Sequence, residues 1–382
     1  MTNTPPASSP TPAPRARAPL RLFLPYIGIA LVFAIYSVYW VIAAHKLRDG
    51  IERVSAQKNA AAIDTDWSAL TLGGFPYRIS LTFTKLLADA PQAPEQWSWN
   101  ADGLEADFLP YNLRHVILKI DGEQHLAYSD VRGAKLRHLV RATSDSVRVS
   151  YVEETNADFG RLAIDIDKFI AIRDGKATGD LATDLTGERL TADRLQLHIR
   201  PAADDEGLAT RIDMPDHKNS YDIALQGDNM VLASSGPAAV LGANVALISA
   251  QARLRDMPRR NHGSFVELSR GWLQQGGRLS VSDLRVSWGP LDLYAQGELT
   301  LDEEARPKGE FNAEFSDYPR LLNALVANGI IRREDAKIAT TGLNVISELQ
   351  GKKAGRVSMP VLMRNGKLYL GPLVVATLEP LY

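Results

Sequence analysis

The pattern of hydrophobic and polar positions divides this chain into one unbroken apolar run and a long part in which the two kinds alternate. Residues 22–44 carry no charged side chain, and the run lies between Arg21 and the pair His45 and Lys46. At about 1.5 Å of helical rise per residue the run covers roughly 35 Å, which is enough to cross a hydrocarbon layer of ~30 Å. It predicts a transmembrane helix over residues 22–44.

The length of this run distinguishes an anchor from a cleaved secretory signal, which is the alternative. The apolar core of a signal is usually about 7 to 15 residues long and ends in small residues at a cleavage site. The run is longer than that, and Ile42-Ala43-Ala44 matches such a site poorly. Aromatic side chains near its two ends are typical of the interfacial belts of a membrane span. They are Tyr26, Tyr36, Tyr39 and Trp40.

The flanks of the anchor suggest how the chain is organised around the membrane. Basic residues are nearly balanced on the two sides, and long domains are translocated largely regardless of their charge. We favour a disordered cytoplasmic tail over residues 1–21, the anchor, a helical stalk over residues 45–66 and a β-rich domain over residues 67–382 outside the cytoplasm.

One alternating pattern occurs three times in the β-rich part, over residues 99–110, 190–201 and 279–290. In each copy the alternation slips by one position and then resumes, and each copy ends in proline. Alternation is typical of a strand with one wet and one dry face, and a one-residue slip requires a β-bulge or a tight turn. The equal spacing favours a repeated unit over a chance likeness between strands.

Each copy is followed by a further strand-like segment, which predicts modules of about 90 residues. The module bounds are roughly 67–160, 161–255 and 256–382. The following segments are residues 114–120, 221–226 and 291–301, with turn candidates at Asp121-Gly122, Gly227-Asp228 and Gly297. Helical spacing is confined to residues 46–62, 264–275 and 319–331.

These patterns predict a mainly β fold with a few helices, of the β-rich α+β class. A single N-terminal transmembrane helix is followed by an extended, curved antiparallel sheet of about three repeated modules. The chain has no cysteine, which excludes disulfides and zinc–thiolate sites. Its net charge of −2 argues against nucleic acid as a partner, because a phosphate backbone requires a basic surface.

Several short motifs resemble an uncharacterised bacterial envelope group, the domain of unknown function family twenty-one twenty-five. The motifs are Gly74-Phe75-Pro76-Tyr77-Arg78, Gly276-Gly277-Arg278-Leu279, Trp288-Gly289-Pro290-Leu291, Gly297, Leu301-Asp302, Arg306-Pro307-Lys308-Gly309 and Asn365-Gly366-Lys367-Leu368-Tyr369-Leu370-Gly371-Pro372. The resemblance covers roughly residues 22–382. It implies a single-pass anchor in the bacterial inner membrane with the bulk of the chain in the periplasm, and no established activity. More distantly the group looks like the AsmA-type envelope proteins, whose long sheets are associated with lipid handling.

No catalytic or metal-binding motif is present. The P-loop, dinucleotide, nucleophile-elbow and zinc-protease signatures are absent. His115 and His125 could meet only across a hairpin at Asp121-Gly122, which is more typical of a polar surface pair than of a metal site. Asp165 and Asp167 could hold a divalent cation as part of a glycan-active enzyme, but they also form the polar half of an alternating strand. We therefore predict no catalytic residue, no metal and no cofactor.

The motif over residues 74–78 has two interpretations. Because Pro76 forces Phe75 into an extended conformation, the motif favours a bend that delivers Phe75 and Tyr77 to packing sites between the stalk and the first strands. Alternatively, Arg78 contacts lipid phosphate while the rings lie in the membrane interface.

The preferred hypothesis is a non-enzymatic protein that presents an apolar sheet face to phospholipid. The alternatives are a scaffold that recruits an envelope protein and, more remotely, the glycan enzyme. The residues predicted to line the face, as an open groove or as a closed core, are Trp99, Leu104, Ala106, Phe108, Leu190, Leu195, Leu197, Ile199, Leu279, Leu284, Val286 and Trp288.

Overall fold

The computed structural model describes residues 24–56, 63–131, 137–155, 157, 159–177, 187–202, 219–258, 264–353, 355–371 and 373–382. The expected tail over residues 1–21, the start of the apolar run at Leu22 and Phe23, and part of the expected stalk, residues 57–62, lie outside this part of the chain. His217, His262 and Pro372 do so too.

The described residues contain five helices and a sheet. The helices are α1 (Leu24–Ala56), α2 (Pro237–Leu241), α3 (Phe265–Gln274), α4 (Tyr318–Ala327) and α5 (Arg333–Leu349). The strands are β1 (Asp64–Asp66), β2 (Ala69–Gly73), β3 (Ile79–Asp89), β4 (Ser98–Leu109), β5 (Asn112–Ser129), β6 (Arg137–Thr143), β7 (Ser146–Val152), β8 (Arg161–Ala177), β9 (Glu188–Pro201), β10 (Asn219–Val231), β11 (Asn244–Met257), β12 (Arg278–Trp288), β13 (Leu291–Leu301), β14 (Pro307–Ser316), β15 (Arg356–Arg364), β16 (Lys367–Leu370) and β17 (Leu373–Thr377).

All of the strands belong to one antiparallel sheet of 17 strands. Successive strands pair with one another from β7 to β17, so this part of the sheet is a long meander. Both β1 and β2 pair with β3, and both β6 and β7 lie between β5 and β8. The predicted fold class, mainly β around one antiparallel sheet with few helices, is confirmed.

The α1 helix contains residues 24–44 of the predicted span. Its most apolar window has a mean hydropathy of 2.2, and only 17% of that window is buried. A helix of this length and composition can cross a membrane, and its exposure is unlike that of a core helix.

The three copies of the repeated pattern lie in β4, β9 and β12. The pairing of β4 shifts between Ala101 and Gly103, and that of β12 shifts between Val281 and Leu284, so bulges occur where the alternation slips. In β9 the pairing with β8 skips Asp193, opposite Lys168 at φ 53°. No observation tests whether the copies arose from one repeated unit, so the modules stay a prediction.

The predicted turns at Asp121-Gly122, Gly227-Asp228 and Gly297 are wrong, because β5, β10 and β13 continue through them. Gly122 has a positive φ of 79°, and a Cβ there would lie 2.8 Å from Asp102 Oδ2. This glycine therefore permits a bulge in a long strand instead of ending it.

Two predicted helices are present as α3 and α4, within a few residues of the expected bounds. Ser264 caps α3 by accepting a hydrogen bond from the Glu267 amide at 3.1 Å. The predicted stalk over residues 45–66 is wrong at its end, because α1 ends at Ala56 and residues 64–66 form β1, paired with β3. The sequence patterns did not predict α5.

The sheet coils so that its early and late strands approach each other. The Glu95 carboxylate, in the connection between β3 and β4, accepts hydrogen bonds from Ser264 Oγ at 2.9 Å and from the Phe265 amide at 2.8 Å. Those two residues begin α3, between β11 and β12. Since neighbouring strands twist by roughly 20–25°, a meander of this length turns far enough for such a contact.

Candidate functional site: one apolar face of the sheet

One face of the sheet is apolar from β3 to β15. Residues that lie directly opposite one another on neighbouring strands form a continuous apolar row across it. This central row is Leu81, Ala106, Leu118, Val149, Ile164, Leu197, Leu225, Ala250, Leu284, Ala295, Ala313 and Met359. The bulges keep the apolar side chains of each strand on this face.

The residues predicted to line an apolar face all project from this side of the sheet. In β4, Leu104 and Phe108 flank Ala106 of the central row. In β9, Leu195 and Ile199 flank Leu197. In β12, Val286 and Trp288 follow Leu284. Beyond the bulge in β4, Trp99 packs against the buried cluster that contains Leu104. Leu190 lies two residues from Ala192, which packs with Leu195, and Leu279 pairs with Leu299. The structure thus brings them together as one surface.

The first end of this apolar face is covered by α1. Leu47 and Ile51 of α1 pack against a cluster that includes Leu81 and Phe83. Higher on the helix, Trp40 packs against Ile79, which is fully buried. The helix therefore fills this end as a closed core.

Hydrogen bonds fix the position of α1 along the sheet. The Tyr39 hydroxyl donates to the Pro110 carbonyl at 2.7 Å, and Trp40 Nε1 donates to the Arg78 carbonyl at 3.0 Å. The Tyr36 hydroxyl donates to the Pro76 carbonyl. Three of the four residues assigned to an interfacial belt thus contact the sheet, whereas Tyr26 is 68% exposed.

The motif over residues 74–78 forms the turn on which α1 rests. The Phe75 ring lies edge-on to Trp40 at 5.4 Å and to Phe33 at 5.9 Å between centroids. The Arg78 amide donates to the Gly74 carbonyl at 3.0 Å. Gly74 is required here, because a Cβ would lie 2.6 Å from the Arg78 carbonyl oxygen. The expectation that Tyr77 packs is wrong, because its side chain is 85% exposed.

The opposite face of the sheet carries a charge-balanced group beside this turn. Arg78 contacts Asp107 at 3.0 Å and Glu105 at 3.5 Å, and Lys119 contacts the same two carboxylates at 3.0 and 3.1 Å. Burial raises the pKa of Asp107, but hydrogen bonds from Ser80 and Lys119 outweigh it and hold that pKa below its usual value. Arg78 is thus engaged by protein carboxylates, which argues against its assignment to lipid phosphate.

The second end of the apolar face lies under α4 and α5. Phe315, Leu321, Leu322 and Leu325 belong to the core that joins these helices to the sheet. The helices do not fill the space completely. They leave an open cavity of about 620 Å³ lined almost wholly by apolar groups. The cavity is lined by Phe315, Tyr318, Leu321, Leu322, Leu325, Asp335, Ile338, Ala339, Gly342, Leu343, Ile346, Gln350, Ser358, Met359, Pro360, Leu370, Gly371 and Val375.

Between these two ends the apolar face is less covered. Ile164, Leu197 and Ala250 are half-buried, and Leu225 is 40% exposed. The face is therefore a closed core at one end, a cavity at the other and a partly open surface in between.

Comparison with known families identifies the chain. A family model described as an uncharacterized protein conserved in bacteria (DUF2125) matches residues 40–379. The chain belongs to this family. No curated protein and no solved structure matches it. The predicted family is confirmed, while the more distant likeness to AsmA-type proteins stays a prediction.

In this DUF2125 protein, Asp165 and Asp167 lie on the face opposite the apolar row and are paired with arginines. Arg194 donates to both oxygens of Asp165 at 2.8 and 3.0 Å, and this lowers the pKa of Asp165. Arg148 lies 3.5 Å from Asp167, which also accepts a hydrogen bond from Ser146. A cation would have to displace these arginines.

The hairpin that would bring His115 and His125 together as a metal site is not formed, because both lie on strand β5 of this DUF2125 protein. About 3.3 Å of rise per residue places them roughly 30 Å apart. Among the described residues no group of histidines and carboxylates has the arrangement of a metal site.

Proposed function

We propose that this DUF2125 protein is a non-enzymatic, single-pass protein of the bacterial inner membrane that binds phospholipid acyl chains along its apolar sheet face. The observation that carries the proposal is the continuous central row, which leads from α1 to the cavity under α4 and α5. The bulk of the chain lies in the periplasm.

The chemistry of the surface suits an acyl chain. A hydrocarbon chain offers no hydrogen-bonding groups and is held by apolar area alone. Small-molecule sites are commonly clefts of ≈ 300–1,000 Å³ with mainly apolar walls. The cavity of about 620 Å³ falls within that range. The anchor keeps this surface next to a supply of phospholipid.

A block at the mouth of the cavity tests the proposal. Gly342 of α5 lines the cavity, and a Cβ there would meet no atom within 4 Å. Gly342→Trp should therefore occupy the cavity without disturbing α5, because tryptophan also has a higher helix propensity than glycine. Thr341→Trp adds the same side chain one residue earlier, outside the cavity lining, and is the matched control.

The measurement is the amount of phospholipid that copurifies with the full chain from detergent, determined by mass spectrometry. We expect wild type and Thr341→Trp to retain phospholipid and Gly342→Trp to lose most of it at unchanged thermal stability. Equal phospholipid in both variants, or none in the wild type, would contradict acyl-chain binding in this cavity.

The outer side of α5 favours a second candidate, a scaffold for another envelope protein. Val345 and Leu349 lie four residues apart on this side, and they are 52% and 81% exposed. Exposed apolar stripes often mark protein interfaces. Crosslinking in cells should then capture one stoichiometric partner with wild type but not with Leu349→Lys. Loss of copurified phospholipid in Leu349→Lys would instead assign this stripe to lipid.

A further inference from the structure

The sheet contacts α1 within the apolar run, from Phe33 onward, and these contacts continue past its end to Leu47 and Ile51. The contacts begin at Phe33, which meets Phe75, and the hydrogen bonds follow at Tyr36, Tyr39 and Trp40. The apolar run continues to Ala44, and the first charged or titratable residues after it are His45 and Lys46. The sheet and the membrane thus compete for the same stretch of helix.

The length of helix that is free of the sheet is too short to cross a bilayer. From Leu24 to Val32 it measures about 14 Å at 1.5 Å per residue. The hydrocarbon layer is ~30 Å thick. Two turns of the sheet contact α1, at residues 74–78 and at Pro110-Tyr111, and we name them the docking turns. A membrane-spanning α1 must therefore bring the docking turns into the bilayer.

The side of α1 that faces away from the sheet agrees with this depth. Ile35, Val38 and Ile42 are 62%, 61% and 50% exposed, although they lie alongside the sheet contacts. Exposing the apolar area of these side chains to water would be unfavourable, whereas in a bilayer they would contact lipid. The apolar run ends at Ala44, about 12 Å further along the helix than Tyr36, so the bilayer can extend past the docking contacts.

The two docking turns end in exposed aromatic side chains. Phe75, Tyr77 and Tyr111, which we name the aromatic rim, are 44%, 85% and 82% exposed. Tyrosine and tryptophan rings are favoured at the membrane interface because they combine an apolar body with a polar tip. Beside the rim, Arg78 and Lys119 are paired with Glu105 and Asp107, so these four side chains carry no net charge.

We propose that the aromatic rim is inserted into the membrane leaflet on the side of the domain. There it contacts the interfacial and upper acyl region of the bilayer that α1 crosses. This inference deepens the proposed function and rests on it, because it requires α1 to span the membrane. The apolar face begins at the rim with the pair Ile79 and Phe108. An acyl chain can consequently move from the leaflet onto the sheet without passing through water.

The absence of cysteine permits a direct depth measurement on the full chain. Single cysteines at Tyr77→Cys and Tyr111→Cys are labelled with the fluorophore NBD, and the protein is reconstituted in phosphatidylethanolamine and phosphatidylglycerol vesicles. Nitroxides carried on the acyl chains of added phosphatidylcholine quench only fluorophores that lie within the bilayer. Ile29→Cys, 68% exposed on α1, is the buried-in-membrane control, and Tyr294→Cys on β13 is the control in water.

We expect acyl-chain nitroxides to quench labels at Tyr77→Cys, Tyr111→Cys and Ile29→Cys and to leave Tyr294→Cys unchanged. Shallow nitroxides should quench the rim more than deep ones, because the rim enters from one leaflet. Quenching at Ile29→Cys without quenching at the rim overturns the rim insertion and leaves the anchor intact. No quenching at Ile29→Cys overturns the anchor itself and with it the proposed function.

Discussion

The two ends of the apolar face differ in how completely the helices that cover them fill the space against the sheet. At the β3 end Leu81 and Ile79 are completely buried under α1, and hydrogen bonds fix the register of helix and sheet. At the β15 end α4 and α5 cover the same face but leave a cavity. The first end has the packing of a protein core and the second has the shape of a ligand site.

The difference follows from how each helix meets the sheet. The α1 helix packs Trp40, Leu47 and Ile51 closely against its end of the face, whereas the side of α5 that lines the cavity includes Gly342 and Ala339 among larger apolar residues. Small residues keep a helix from filling the space beneath it. Burial alone therefore does not distinguish a core from a binding surface, and the volume left under the helix does.

Truncating one leucine at each end should give the largest difference in the free energy of unfolding between the two ends. Leu81→Ala removes a side chain from a filled core and should lower the free energy of unfolding by about 3–4 kcal/mol. Leu343→Ala enlarges an existing cavity, so fewer contacts are lost and the decrease should be about half as large. Urea unfolding in detergent measures both. Equal losses would mean that the second end is as tightly packed as the first.

The second-largest effect should be a loss of stability at the β3 end when the pH is lowered. The folded-state pKa of Asp107 lies below the ordinary value of 3.8, so its contribution to stability is present above about pH 4 and is lost as the pH falls through the folded pKa. Asp107→Asn should cost about 1–3 kcal/mol at neutral pH, because Lys119 and Arg78 lose a charged acceptor.

Thermal unfolding between about pH 7 and pH 3 measures this contribution. The unfolding temperature of Asp107→Asn should fall less steeply than that of wild type below about pH 4. The control is Glu298→Gln, which should change little, because this surface carboxylate lies 3.8 Å from the exposed Arg278 and accepts one hydrogen bond from Ser280 Oγ at 3.3 Å. Parallel pH profiles for wild type and Asp107→Asn would refute the assignment.

The smallest expected effect concerns two glycines. Gly342→Ala should stabilise α5 by about 0.5–1 kcal/mol, because alanine has the higher helix propensity and its Cβ meets open space. Gly122→Ala, at a φ of 79° and close to Asp102, should destabilise the protein instead. The shift in unfolding temperature measures both. A loss of stability in Gly342→Ala would show that α5 packs more closely than its cavity implies.

Much of the fold and of the candidate site is predictable from local patterns. A one-residue slip in an alternating strand predicted the bulges at Asp102 and near Asp283, and the alternation itself predicted which side chains share a face. The turns were mispredicted at Gly122 and Gly227, because glycine within a long strand also occurs at a bulge, as at Gly122, or where a side chain approaches the backbone closely, as Met230 does at Gly227. The α5 helix was missed because its apolar positions are divided between the cavity and the solvent.

The long apolar helix, the antiparallel sheet and the apolar side of each strand were predictable from the chain alone, since these depend on hydrophobic period and on runs of uncharged residues. The contacts between the sheet and Tyr36 to Trp40, within the apolar run, and the cavity under α4 and α5 are visible only in the folded structure. The register of α1 against the sheet and the volume under a helix depend on contacts between residues distant in the chain, which no local pattern encodes.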